Sequence, residues 1–245
     1  MYNSIKYHLR KIVGQDFLLK NEALLRKTYA IFYLGKKHFC PVCLSRLRTF
    51  VELPNNDKLC PVCGSLSRTR RLCKLLNENH VLQGKVLHFS PSRGLYRYLR
   101  RQPNIEYYSS DFKNEFLSDY QYDITAIDQK SETFDLIICY HILEHIDNDQ
   151  LAISELFRVL KPNGRIYIQT PFKTGNTYEN SAITSPQERL IHFGQKDHIR
   201  VYSVKGLSQR LKSVGFKVKV KKFEGLSYNH EYGLNPSETI LMANK

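Results

Sequence analysis

Apolar residues recur along the chain with two different periods, and the switches between them predict where helices give way to strands. Residues 2–13 set Ile5, Leu9 and Ile12 at helical spacing, and residues 21–34 do the same with Leu24, Leu25, Tyr29, Phe32 and Tyr33. Two amphipathic helices are predicted there. Gly35, Lys36 and Lys37 would end the second in the usual way, with a glycine near the C-terminus and cations beside the dipole. Past a cysteine-containing stretch, residues 70–79 read as a helix and 85–89 as a short strand. From there strands over 105–109, 134–139, 165–170, 217–221 and 239–243 alternate with helices over 94–101, 149–160 and 204–214. Such alternation builds an α/β fold, a doubly wound and mainly parallel sheet covered on both faces.

Two knuckles precede that region. Cys40-Pro41-Val42-Cys43 and Cys60-Pro61-Val62-Cys63-Gly64 are separated by 16 residues, the spacing of a tetrahedral four-cysteine zinc site. Residues 49–53 between them alternate as a ribbon hairpin would. With four cysteine ligands no position stays open for water or substrate, so the expected role of Zn2+ at Cys40, Cys43, Cys60 and Cys63 is structural. Cys73 and Cys139 fall outside the knuckles and read as buried small hydrophobes. A basic helical leader over 1–38, a zinc ribbon with connecting helix over 39–80 and an α/β domain over 81–245 are therefore expected.

Composition adds two constraints. No apolar run approaches the roughly 18 to 20 residues that a bilayer span needs, the longest covering 29–34. Lys6, Arg10 and Lys11 are spread among polar residues rather than grouped as in a secretory signal. The expected location is cytoplasmic, where free thiols persist. Charge is uneven: residues 1–80 hold 15 Lys/Arg against 5 Asp/Glu, a net +10 of the chain's +14. That asymmetry points to an RNA or other polyanion as partner, or to a solvated basic face.

Two longer motifs identify a family resemblance. Phe134-Asp135-Leu136-Ile137-Ile138-Cys139-Tyr140-His141-Ile142-Leu143-Glu144-His145-Ile146, and Glu155-Leu156-Phe157-Arg158-Val159-Leu160-Lys161-Pro162-Asn163-Gly164-Arg165-Ile166-Tyr167-Ile168, resemble the class I S-adenosylmethionine-dependent methyltransferases from about residue 85 onward. In the second motif a helix is expected to end, Pro162-Asn163-Gly164 to reverse the chain, and a strand to begin. The resemblance implies a seven-stranded Rossmann-like sheet with S-adenosyl-L-methionine as cofactor beyond the strand ends. It also implies Asp111 on the ribose hydroxyls, Asp123 beside the adenine amino group with Ile124 against the ring, and Tyr140 and His141 bordering the site. Either Asp could instead cap a turn, Asp123 more readily than Asp111.

The glycine-rich loop of that family is replaced by His88-Phe89-Ser90-Pro91-Ser92-Arg93-Gly94. His88, Ser90, Ser92 and Gly94 are still expected to border the cofactor, and Arg93 to add a charged contact. The acidic residue that would hold the cofactor's amino group is absent.

A methyl on a sulfonium is already activated, so a base matters only for protonated acceptors. His141 is the best-placed base by sequence, with His145 one helical turn on; Glu144 and His145 could instead cap the following helix. His192, Asp197, His198 and Arg200 form a polar cluster after the fifth strand, with His192 and His198 as further catalytic candidates. A second metal site from His192, Asp197 and His198 lacks an evident further ligand pair. The acceptor, an RNA base, a glycan or a small molecule, is not legible. The alternative to an enzyme is a non-catalytic polyanion-binding protein on the same fold.

Overall fold

Helix α1 (Glu22–Ala30) runs for nine residues, continues as a 3-10 turn at Ile31–Tyr33, and Leu34 already opens strand β1 (Leu34–Cys40). Gly35 therefore lies in a strand rather than stopping a helix. A Cβ on it would stand 2.7 Å from the backbone nitrogen of Arg48, so the missing side chain admits a close backbone approach. The computed structural model describes residues 21–225 and 229–245; the helix expected over 2–13 lies outside them.

β1 pairs antiparallel with β2 (Ser45–Leu47), and β3 (Val51–Glu52) with β4 (Lys58–Leu59). These two small hairpins carry the cysteine knuckles. Helix α2 (Ser67–Glu78) then buries Leu72, Cys73, Leu75 and Leu76 together with Arg70 and Arg71. The described residues up to Asn79 form one compact unit with Ser92–Tyr98 and with Glu224–Pro236.

Arg70 explains much of that grouping. Its guanidinium donates to the carbonyls of Lys58 and Tyr232, each at 2.8 Å, and to those of Ser65 and Gly233, while lying 4.2 Å from the centre of the Phe50 ring. A buried cation is tolerable only with its donors satisfied, and here backbone oxygens from three separate segments satisfy them. Arg71 donates likewise to Asn229 and to the carbonyl of Asn235.

The second unit takes His80–Pro91, Leu99–Phe223 and Ser237–Lys245. Its strands are β5 (Gly84–Phe89), β6 (Ile105–Ser110), β7 (Phe134–Tyr140), β8 (Leu160–Gln169), the short β9 (Phe172–Lys173), β10 (Tyr178–Glu179) and β11 (Arg200–Ser203), then β12 (Lys217–Glu224) and β13 (Ser237–Asn244). The helices along the same stretch of chain are α3 (Arg93–Leu99), α4 (Asp149–Val159), α5 (Pro186–Phe193) and α6 (Val204–Val214). The main sheet has the order β12-β13-β8-β7-β5-β6. β6, β5, β7 and β8 are mutually parallel, and β13 is antiparallel to β8. Leu87, Ile137, Cys139, Ile166, Ile168 and Leu241 pack with Ile153, Leu156, Leu207 and Leu211 in one buried cluster. The edge strand β12 carries exposed Lys217, Lys219 and Lys222, which disfavours pairing with another chain.

Two expectations change. The sheet has six strands among the described residues, not seven. Where the seventh would lie beyond β6, only an isolated parallel bridge joins Ser110 to Tyr120, made by Tyr120 N–H to Ser109 O and Asp111 N–H to Tyr120 O, while the flanking N–H groups of Asp119 and Tyr122 go to the hydroxyls of Ser109 and Ser110. Pro162-Asn163-Gly164 does turn the chain, with Asn163 at φ 64°, but inside one strand: β8 starts at Leu160, opposite Phe134, and the next pair is Leu136 with Arg165, so residues 161–164 bulge opposite Asp135.

Candidate functional site

Parallel pairing brings the C-terminal ends of β5, β6 and β7 to one edge of the sheet, and winding changes direction at β5, whose neighbours are β6 on one side and β7 on the other. A crevice at such a point is where doubly wound sheets bind ligands. Two non-glycine residues at these tips hold left-handed backbones, Ser90 with φ 45° and His141 with φ 55°. Strain of this kind persists where surrounding bonds enforce it.

At Ser90 the enforcing bonds are visible. Its N–H donates to Ser110 O at 2.7 Å and its hydroxyl to Asp111 Oδ1 at 2.7 Å. The other oxygen of Asp111 accepts from the N–H groups of Glu115 at 2.6 Å and Phe116 at 3.1 Å. Asp111 is thus buried with three bonds to about four acceptor positions, leaving room for a further donor. His88, in contrast, is fully within β5 and buried. Its Nδ1 lies 3.0 Å from the Tyr107 hydroxyl, and burial pulls its pKa down to about 3. It is neutral and cannot replace the carboxylate missing from the loop.

His141 donates its backbone N–H to Gln169 O at 2.8 Å and turns Nδ1 to within 3.3 Å of Glu144 Oε1. Glu144 is buried: burial pushes its carboxyl up, but the close approach and charge of His141, with His145 nearby, outweigh this and hold it below the ordinary range. His198, expected beside His192 and Asp197, instead stacks edge-on against His145 at 4.7 Å between ring centres. Burial lowers its pKa. Arg200 holds the two segments together. It donates to the carbonyls of Leu143 at 3.2 Å, Asp147 at 3.0 Å and Ile146, and pairs with Glu179 at 2.9 Å.

The other expected site residues lie on several elements. Asp123 Oδ1 accepts from the N–H and hydroxyl of Thr125, at 2.8 and 2.7 Å, as a turn residue does. Ile124 is buried in the main cluster with Tyr122 and Ile127. Tyr140 is half-buried at the end of β7, paired with Gln169. His192, exposed on α5, lies 3.1 Å from the Tyr178 hydroxyl through Nδ1. Ser92 precedes α3, where Arg93 and Arg97 each pair with Glu22 at 3.2 Å. Gly94 has a different reason to be glycine: a Cβ there would stand 3.0 Å from the carbonyl of Cys63.

That contact belongs to the cysteine cluster. Four thiolates bound at about 2.3 Å to one tetrahedral ion stand about 3.8 Å apart. Cys40 to Cys63 and Cys43 to Cys60 are each 3.7 Å, sulfur to sulfur. The donor set fits Zn2+. Outside it, burial pushes the Cys73 thiol up to about 12 and the Cys139 thiol up as well, so neither is a ready nucleophile.

A parallel sheet with a winding switch, strained strand tips and an acid beside them defines a Rossmann-like α/β protein, a fold that takes its ligands at the strand ends. The chain belongs to the methyltransferase-domain family, whose profile matches residues 66–220. It is 28% identical over 105 residues to the mitochondrial ubiquinone biosynthesis O-methyltransferase of Mus musculus, covering 42% of this chain and 28% of that protein. It is 27% identical over 103 residues to the ubiquinone biosynthesis O-methyltransferase of Pseudomonas fluorescens, covering 42% and 44%. The matches span less than half the length of these curated relatives. A SAM dependent methyltransferase from Archaeoglobus fulgidus shares the fold with a TM-score of 0.52 at 17% identity, over 72% of this chain and 94% of the other. The cyclase SpnF does so with a TM-score of 0.51 at 17% identity, over 71% and 80%.

Proposed function

We propose that this protein is an S-adenosyl-L-methionine-dependent methyltransferase acting on an anionic acceptor, with Zn2+ held structurally by Cys40, Cys43, Cys60 and Cys63. The observation that carries the reading is the buried Asp111, oriented by Ser90 and two backbone N–H groups at the edge of the sheet where the winding switches. The cofactor, when bound, supplies a methyl group already activated on a sulfonium. Asp111 would accept from the ribose hydroxyls, and the left-handed turn at Ser90 would keep the backbone close to the cofactor. His141, oriented through Nδ1 by Glu144, would take the proton of an acceptor hydroxyl or amine at Nε2.

Lys27, Lys36, Lys37, Arg46 and Arg48 are exposed and favour an acceptor or docking partner bearing phosphates or carboxylates. Arg70 and Arg71 do not contribute, being buried on backbone carbonyls. The curated relatives are named for O-methylation, which favours an oxygen nucleophile.

Equilibrium dialysis with S-adenosyl-L-methionine tests the reading. The wild-type chain should bind, and Asp111→Ala should lose at least about tenfold in affinity, as expected for removing a charge-assisted pair. No binding at millimolar cofactor would instead favour a non-catalytic polyanion-binding protein. Labelled methyl transfer into fractionated extract then separates RNA, glycan and small-molecule acceptors.

A further inference from the structure

At the tip of β7 a set of buried polar atoms has no hydrogen-bond partner among the described residues: Nε2 of His141, both carboxylate oxygens of Glu144 and Nε2 of His198. An ionised carboxylate in a protein interior without donors is costly, and native structures rarely leave one so. Nδ1 of His141 comes within 3.3 Å of Oε1.

Ligand atoms of Glu144, His145 and His198 all lie within 4.8 Å of one another. The two rings are prepared alike. His198 turns Nδ1 to the Phe193 carbonyl at 3.2 Å, and His145 turns Nδ1 to Asp197, 3.2 Å from both its carbonyl and its Oδ2. Each imidazole thus has one nitrogen engaged by an oxygen, leaving Nε2 for another partner. Metal-binding histidines are oriented in this way, the outer N–H held by a carbonyl or carboxylate while the other nitrogen ligates. The two segments that bring the residues together are pinned by Ile199 N–H to Glu144 O at 3.0 Å and by Arg200 on the carbonyls of Leu143, Ile146 and Asp147.

We propose that Glu144, His145 and His198 bind a divalent transition-metal ion, a site separate in ligand chemistry from the cysteine cluster. One carboxylate and two imidazoles suit Mn2+, Fe2+ or Zn2+ better than Mg2+ or Ca2+, which prefer all-oxygen shells. Three protein ligands leave coordination positions open. Resting on the methyl-transfer reading, those positions would take the hydroxyl oxygen of the acceptor. The binding of the ion itself does not depend on that reading.

Mn2+ is the discriminating probe because thiolate sites take it poorly. Titrated into the zinc-loaded full chain and followed by the electron paramagnetic resonance signal of the free ion, Mn2+ should bind once per chain. Affinity should fall at least about tenfold in Glu144→Gln and in His198→Ala, with far-ultraviolet circular dichroism unchanged. His145→Asn, at the half-exposed ligand, should weaken binding in the same direction and serves if a buried substitution unfolds the chain. A wild-type chain that leaves Mn2+ free and takes up no Zn2+ beyond the cysteine-bound equivalent would overturn the proposal, as would binding that survives these substitutions. Cofactor dialysis on the same samples separates the two readings: bound Mn2+ without cofactor binding supports the ion site and sinks methyl transfer.

Discussion

Ser90 occupies a backbone conformation that ordinarily costs an L-residue about 1 to 2 kcal/mol, and it recovers part of this through its bonds to Ser110 and Asp111. Removing the hydroxyl while keeping the strain should be the worst change. Ser90→Ala is therefore expected to destabilise the fold by about 1 to 2 kcal/mol, and Ser90→Gly by less, since glycine relieves the strain as it loses the bond. Urea midpoints of the two variants check the order; Gly below Ala would refute it. The sequence showed that a glycine was missing here, but not that a serine kept the glycine's geometry, because the compensating partner lies 21 residues away.

His88 makes a second prediction at this scale. Its folded pKa is depressed to about 3 from an ordinary 6.5, so above pH 6.5 both states are neutral and nothing is lost. As pH falls below 6.5 the unfolded chain takes a proton that the buried ring refuses, and stability drains until about pH 3. At pH 5 the loss from this one group is about 2 kcal/mol. His88→Gln, which keeps a polar contact to Tyr107 but does not titrate, should flatten that limb in urea unfolding measured from pH 7 to pH 4.

Among the elements, those set by strong periodicity were legible from the chain. α6 has the predicted bounds, 204–214, and the predicted helix over 149–160 exceeds α4 by one residue. Elements set by neighbours were not. Helical spacing over 21–34 held as an α-helix to Ala30 and as a 3-10 turn over Ile31–Tyr33, because β2 pairs with the chain from Leu34 on. Likewise Pro-Asn-Gly turns the chain as its residues suggest, yet pairing with β7 on either side makes that turn a bulge inside β8. The Glu144, His145 and His198 cluster was illegible for the same reason: it depends on Arg200 joining two segments more than fifty residues apart. Arg70 tests how far α2 depends on such long-range partners. Arg70→Leu should destabilise by about 3 kcal/mol or more, since the carbonyls of Lys58, Ser65, Tyr232 and Gly233 lose their donor. Arg70→Lys should recover only part, a single ammonium being unable to span four oxygens. Thermal melts of both variants with the metal retained would show this, and a neutral Arg70→Leu would contradict it.

For the whole molecule, no helix among the described residues is long and apolar enough to cross a membrane, and the excess positive charge lies in the first third of the chain. If exposed Lys27, Lys36, Lys37, Arg46 and Arg48 meet phosphates, RNA affinity should fall steeply with salt, and neutralising two of them should lower the log–log slope by about 2. Filter binding across a salt series measures it; a slope unmoved by Lys36→Gln with Lys37→Gln would exclude this surface. Alternation of strands and helices was enough to read the doubly wound sheet, yet not the interleaving of its two units, since no local pattern tells where a segment returns.

That interleaving affects how the molecule is made. The stretch from Glu224 to Pro236 supplies the last oxygens around Arg70 and Arg71, and it leaves the ribosome long after the arginines themselves. The knuckles can capture their ion early, but the wall that encloses their supporting arginines arrives about 160 residues behind them. A nascent chain stalled before residue 224 would therefore display two unsheltered guanidinium groups to chaperones and proteases.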